Sequence, residues 1–242
     1  MSEVATAVTG TPANDPGLFA RLMGVVLSPR ETYAAIASRP RWLGALAVVL
    51  LVTVAAQTWF VSTDVGQGLI LDQQVRAMES FGIQVSDEMY SQIEARMENA
   101  VYTTGASLLV FAPIVNAVIG GLIVLIFTMF LGGAGTFRQA YAIVTHSGVI
   151  TALQQLLTVP LSFAAGRFAG ANLAIFFPML AEDSFLTLFL GAIDLFLVWW
   201  VVSLSIGVGV LYKKKTGPIA TAFLAVYLVI ALILAVVRSS PA

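Results

Sequence analysis

The chain has 242 residues, 59% of them hydrophobic and only 10% charged, with a mean hydropathy of +0.93 and a net charge of −1. Soluble domains carry about 25% charged residues, so lipid is the solvent that fits this composition, and the balanced charge excludes the basic face that nucleic acid demands. Cysteine is absent, which excludes disulfides, thiolate metal sites and thiol nucleophiles.

Residues 1–14 are small and polar and read as a disordered leader, with no basic stretch and apolar core to mark a cleavable signal. Asp15 and Pro16 have the character of an N-cap and first helical residue. The helix they would start carries Phe19, Leu22, Met23 and Val26 at helical spacing and ends near Leu27. Ser28-Pro29-Arg30-Glu31 is a capping-box pattern with proline at the first position, opening a second short helix through Tyr33 and Ile36. Both helices, within residues 15–41, are too short to span. They read either as amphipathic elements lying in the membrane interface or as pieces packed on the cytoplasmic ends of the bundle.

A transmembrane helix needs about 20 apolar residues. Five stretches meet that need: Trp42 to Val61, Ser107 to Phe130, Gln139 to Leu161, Thr187 to Gly209 and Ile219 to Val237. The expected fold is therefore an all-α integral membrane bundle of five transmembrane helices over residues 42–237. Thr136-Phe137-Arg138-Gln139 is a second capping-box pattern, at the start of span three. Basic residues set the orientation. With the N-terminus inside, Arg21, Arg30, Arg39, Arg41, Arg138, Lys213, Lys214 and Lys215 are inner, and Arg76, Arg96, Arg167 and Arg238 are outer. The expectation is a multi-pass protein of the cell inner (plasma) membrane, with a cytoplasmic N-terminus and an extracytoplasmic C-terminus. The Lys213-Lys214-Lys215 run is a membrane-surface anchor with a secondary attraction for anionic lipid.

The first outer loop, 62–103, reads as mostly helix: Asp72 to Phe81, stopped at Gly82, then a helix capped by Ser86 with Met89, Ile93, Met97 and Val101 on one face. Its acids, together with Glu182 and Asp183 of the second outer loop, lie on the outer side. That second loop contains the apolar run Leu173 to Leu180, too short to span and suited to an interfacial or shallow re-entrant piece.

Asp194 is the one acid inside a span. An aspartate at a helix centre costs roughly 2.5–3.5 kcal/mol on insertion scales and requires partners. Gln154 and Gln155 of span three, Asn116 of span two and Gln57 of span one are expected at similar depth, forming an intramembrane polar cluster with Asp194. Two readings apply: polar glue that fixes helix packing, or an ion or proton site. Ser147, Thr151, Gln154 or Gln155, Thr158 and Ser162 form a polar stripe along span three, suited to a packed interface or to a wet path. His146, the only histidine, lies about eight residues from Asp194 along the membrane normal, roughly 12 Å at 1.5 Å per residue, so the two should not pair. Ser203 and Gly207 form a small-xxx-small pair that permits close helix approach. No HExxH, GxSxG or P-loop occurs, and an intramembrane aspartyl protease would need a second aspartate. No catalytic, cofactor-binding or metal-binding residues are expected, and no enzyme activity.

Leu27-Ser28-Pro29-Arg30-Glu31-Thr32, Gly135-Thr136-Phe137-Arg138-Gln139-Ala140 with Ser147, Ala171-Asn172-Leu173 and Ile193-Asp194-Leu195-Phe196, with Trp199 and Ile206-Gly207, together resemble the Yip1 family in its bacterial five-span form. The resemblance covers roughly residues 20 to 237. It implies a non-enzymatic membrane protein that works through lipids, other membrane proteins or self-association, in a membrane-organising or trafficking-type role. The short leader departs from eukaryotic members, whose long cytoplasmic segment takes part in partner contacts. The leading expectation is a scaffold or adaptor; the alternative is a small transporter or channel subunit that uses the polar cluster around Asp194.

Overall fold

The structure, a computed structural model, describes residues 16–181 and 184–239. The expected leader, the Asp15 cap and the acidic pair Glu182 and Asp183 lie outside the described residues. Among the described residues the fold is helical, and four stretches are long and apolar enough to cross a membrane: Leu43–Val61, Ala100–Phe130, Phe137–Ala165 and Thr216–Ser239.

Both N-terminal helices pack against the bundle. The first, α1 (Leu18–Leu27), starts two residues after Pro16 rather than at it. It buries Arg21, Leu22 and Val25 and turns Phe19 and Leu27 outward, 76% and 74% exposed. The second, α2 (Pro29–Ser38), begins where Ser28-Pro29 predicts, but the Ser28 side chain makes no capping bond, so the capping box is not formed. Thr32 instead donates back to the Ser28 carbonyl at 2.9 Å. This helix packs inside the bundle, with Tyr33 and Ile36 wholly buried.

Span one is α3 (Leu43–Val61). The outer loop follows as α4 (Asp64–Ser80) and α5 (Asp87–Met97). The first of these starts eight residues earlier than expected, because the Thr63 hydroxyl caps it by accepting from the Gly66 N–H at 3.0 Å. Gly82 ends it at φ 75, a left-handed conformation that glycine adopts without strain. Ser86 caps α5 as predicted, and the Ile93 stripe faces inward. Span two is α6 (Ala100–Val124), which runs on through a π-helical turn at Leu125–Phe130. Span three is α7 (Phe137–Ser147) and α8 (Val149–Ala165), jointed at Gly148, where an added Cβ would stand 3.3 Å from Val49 of α3. The Thr136/Gln139 capping box is complete.

The expected fourth span, Thr187 to Gly209, is not one helix. It is α9 (Phe185–Gly191), a break at 192–194, and α10 (Leu195–Leu211). Aspartate disfavours helix interiors because its carboxylate competes for nearby backbone N–H groups. Here it does so, and a new helix starts at Leu195. The last span is α11 (Thr216–Ser239). The core is built where α2, α7 and α10 meet: Tyr33, Ile36, Ile143, Val144, Leu204 and Val208 are all buried there.

Candidate functional site at the break in span four

Breaking a helix in lipid strands backbone donors and acceptors that no water can satisfy. This break is closed from four directions. The Asp194 Oδ1 accepts from the Leu197 N–H at 2.9 Å, capping α10. Its Oδ2 accepts from Gln154 Nε2 of α8 at 2.8 Å. Tyr227 of α11 accepts from the Asp194 N–H and donates to the Ala192 carbonyl, each at 2.8 Å. The second outer loop contributes backbone: Leu195 N–H donates to Ala171 O at 2.7 Å and Leu173 N–H to Ile193 O at 3.0 Å. Asn172 stands in this short antiparallel bridge opposite Asp194, and its Oδ1 accepts from Ala174 N–H, starting a tight turn at Leu173–Phe176. The apolar run of that loop is therefore a strap across the break, with Ile175, Phe176 and Met179 turned outward.

Of the expected cluster, the structure joins Asp194 to Gln154 and separately joins Gln57 to Gln155, where Gln57 Nε2 donates at 2.6 Å. Adjacent residues on a helix point about 100° apart, so Gln154 and Gln155 serve different neighbours, α10 and α3. The single cluster is thus corrected to two pairs. Asn116 belongs to neither; it is half-buried on α6 and its side chain makes no hydrogen bond to a described residue. The polar stripe of span three is spent mostly on local backbone: Thr151 bonds Gly148 O, Thr158 bonds Gln154 O and Ser162 bonds Thr158 O. Ser162 also accepts from the Ala169 N–H, holding the turn after α8. His146 is buried and does not reach Asp194; its Nδ1 bonds the Ala142 carbonyl at 2.7 Å and its Nε2 has no partner among the described residues.

A second polar node lies toward the opposite end of the bundle. The Tyr33 hydroxyl bonds Ser203 at 2.7 Å and Ser147 at 3.0 Å, tying α2 to α10 and α7. Burial pushes the Tyr33 phenol up to about 12. Gly207 makes the approach possible: a Cβ there would collide with Ile143 and stand 3.1 Å from the Tyr33 ring. Gln139 of the capping box also donates to the Ala37 carbonyl at the end of α2, at 2.8 Å. Neither Tyr33 nor Tyr227 is distinguished by any local pattern; both look like apolar-face residues in the sequence.

The lysine run is exposed. It also ends α10: Lys214 N–H donates to Gly209 O and Lys213 N–H to Val210 O, the paired bonds of a Schellman cap. Lys213 adopts φ 52 at the position usually held by glycine.

Both oxygens of Asp194 accept a hydrogen bond, one from Leu197 N–H and one from Gln154 Nε2. No group of three or more potential metal ligands occurs among the described residues. A family model described as the Yip1 domain matches residues 23–238, from α1 to the last turn of α11. No curated protein and no solved structure matches the chain.

Proposed function

Because the chain belongs to the Yip1 domain family of membrane proteins, we propose that it is a non-catalytic scaffold or adaptor of the inner membrane, acting through partner membrane proteins, self-association or lipids. The observation that carries this reading is the structural use of Asp194: its two oxygens and its N–H bond α10, Gln154 and Tyr227. The carboxyl ties α8 to the start of α10, and the backbone around it bonds α11 and the second outer loop, so the break serves to hold these elements in register. The proposed orientation, N-terminus cytoplasmic and C-terminus extracytoplasmic, is supported by eight basic residues on the inner segments against four on the outer ones. Crosslinking in native membranes followed by mass spectrometry tests the role: a dominant partner, a lipid adduct or self-contacts away from the polar residues is expected, and self-crosslinks alone around a central polar path would overturn it.

The alternative, a transporter or channel subunit, draws on one observation. Transporters build sites at discontinuous helices, and Asp194 stands at one. Substitution at Asp194 distinguishes the two readings.

A further inference from the structure

Three of the four outer arginines line one groove. Arg76 of α4, Arg167 just after α8 and Arg238 in the last turn of α11 face a space of about 850 Å³ whose walls include Phe81 and Phe168. Among the described residues the only carboxylate in its lining is that of Asp72. All three arginines are exposed, and none makes a hydrogen bond or ion pair to a described residue. Like charges gathered from three separate elements repel one another, so the groove is complementary to an anion.

Depth narrows the class of anion. Arg238 lies 22 residues along α11 from Thr216, roughly 33 Å at 1.5 Å per residue, and the hydrocarbon core is about 30 Å thick. The groove is thus at headgroup level, at the end of the bundle opposite the Lys213–Lys215 turn. Guanidinium groups bind phosphate oxygens in a bidentate manner. On α11 the neighbouring wall residues Leu234 and Val237 are exposed and apolar, toward the bilayer.

We propose that this groove binds the phosphate headgroup of an anionic phospholipid, with the acyl chains running down the outer face of α11. The site is separate from the Asp194 junction. It adds a lipid partner to the scaffold reading and requires only that the chain be a membrane protein.

The test compares the full-length protein in nanodiscs of phosphatidylcholine alone and with phosphatidylglycerol added. The wild type should melt at a higher temperature with phosphatidylglycerol. R76Q/R167Q/R238Q should lose most of that rise, and R76K/R167K/R238K should keep most of it. Asp194→Asn should also keep it, so failure at one site is distinguishable from failure at the other. Should the triple glutamine variant not fold, native mass spectrometry of R238Q alone should still show weaker retention of phosphatidylglycerol than wild type. An undiminished rise in the glutamine variant, undiminished retention in R238Q, or an equal rise on adding inorganic phosphate without anionic lipid would overturn the proposal.

Discussion

The Tyr227 hydroxyl bridges the gap in the helix preceding its own, accepting from the Asp194 N–H and donating to the Ala192 carbonyl, each at 2.8 Å. One side chain on α11 thus satisfies the end of α9 and the start of α10. Tyr227→Phe keeps the ring and leaves two backbone groups unpaired in an apolar setting. A buried unsatisfied group costs about 1–3 kcal/mol, though hydrogen bonds measured within membranes average near 0.6. We expect a loss of about 1–2 kcal/mol in detergent unfolding. Unchanged stability would mean that the break does not depend on this bridge.

At the other node, Tyr33→Phe removes the bonds to Ser147 and Ser203. Ser147 still has the Ile143 carbonyl at 2.8 Å, so Ser203 bears the loss, about 1 kcal/mol. Gly207→Ala should cost more, about 1–3 kcal/mol, since its methyl meets Ile143 and the Tyr33 ring. The folded phenol, at about 12, lies above its ordinary 10.0. The folded state therefore holds the proton more tightly, and this contribution to stability is intact below pH 10 and falls as pH rises toward 12. Tyr33→Phe should flatten the alkaline arm of the stability profile; an unaltered arm would contradict that.

Lys213 pays for its place with a left-handed backbone at φ 52. Non-glycine residues in that region are strained by about 1–3 kcal/mol. Lys213→Gly should accordingly raise stability by about 1 kcal/mol, since glycine also carries more unfolded-state entropy. A lower melting temperature for this variant would show that the lysine side chain outweighs the strain.

Orientation is open to a direct test because the chain has no cysteine of its own. Glu88→Cys should react with an impermeant maleimide from outside intact cells, and Lys214→Cys only after permeabilisation. Reaction at position 214 from outside would reverse the topology.

The apolar lengths of spans one, two, three and five and the Thr136 capping box were legible because each is a local pattern. The break in span four was not read, although its signal is present: Gly191 ends one helix and Asp194, followed by Leu195-Phe196-Leu197, has the form of an N-cap before an apolar run. Average hydropathy across Thr187 to Gly209 hid it. The separation of Gln154 from Gln155 follows from helix geometry alone. Tyr227, Tyr33 and Asn172 were not legible as partners, because their bonds join residues 22 to 170 positions apart. The Ala171–Leu173 and Ile193–Phe196 segments that carry the family resemblance are the two sides of the bridge across the break.

Asp194 itself offers the most direct measurement. Asp194→Asn retains an oxygen for the Leu197 cap, and Gln154 can turn its amide to accept from the new NH2, so stability should change by less than about 1 kcal/mol. Asp194→Leu removes the cap and strands Gln154, with a loss of about 1–2 kcal/mol. Thermal unfolding in detergent, paired with growth complementation of a deletion strain, reads both variants. If the carboxyl is structural, Asp194→Asn is as stable as wild type and complements fully. Wild-type stability with lost complementation would show that ionisation at Asp194 is required, and would contradict the scaffold reading in favour of transport.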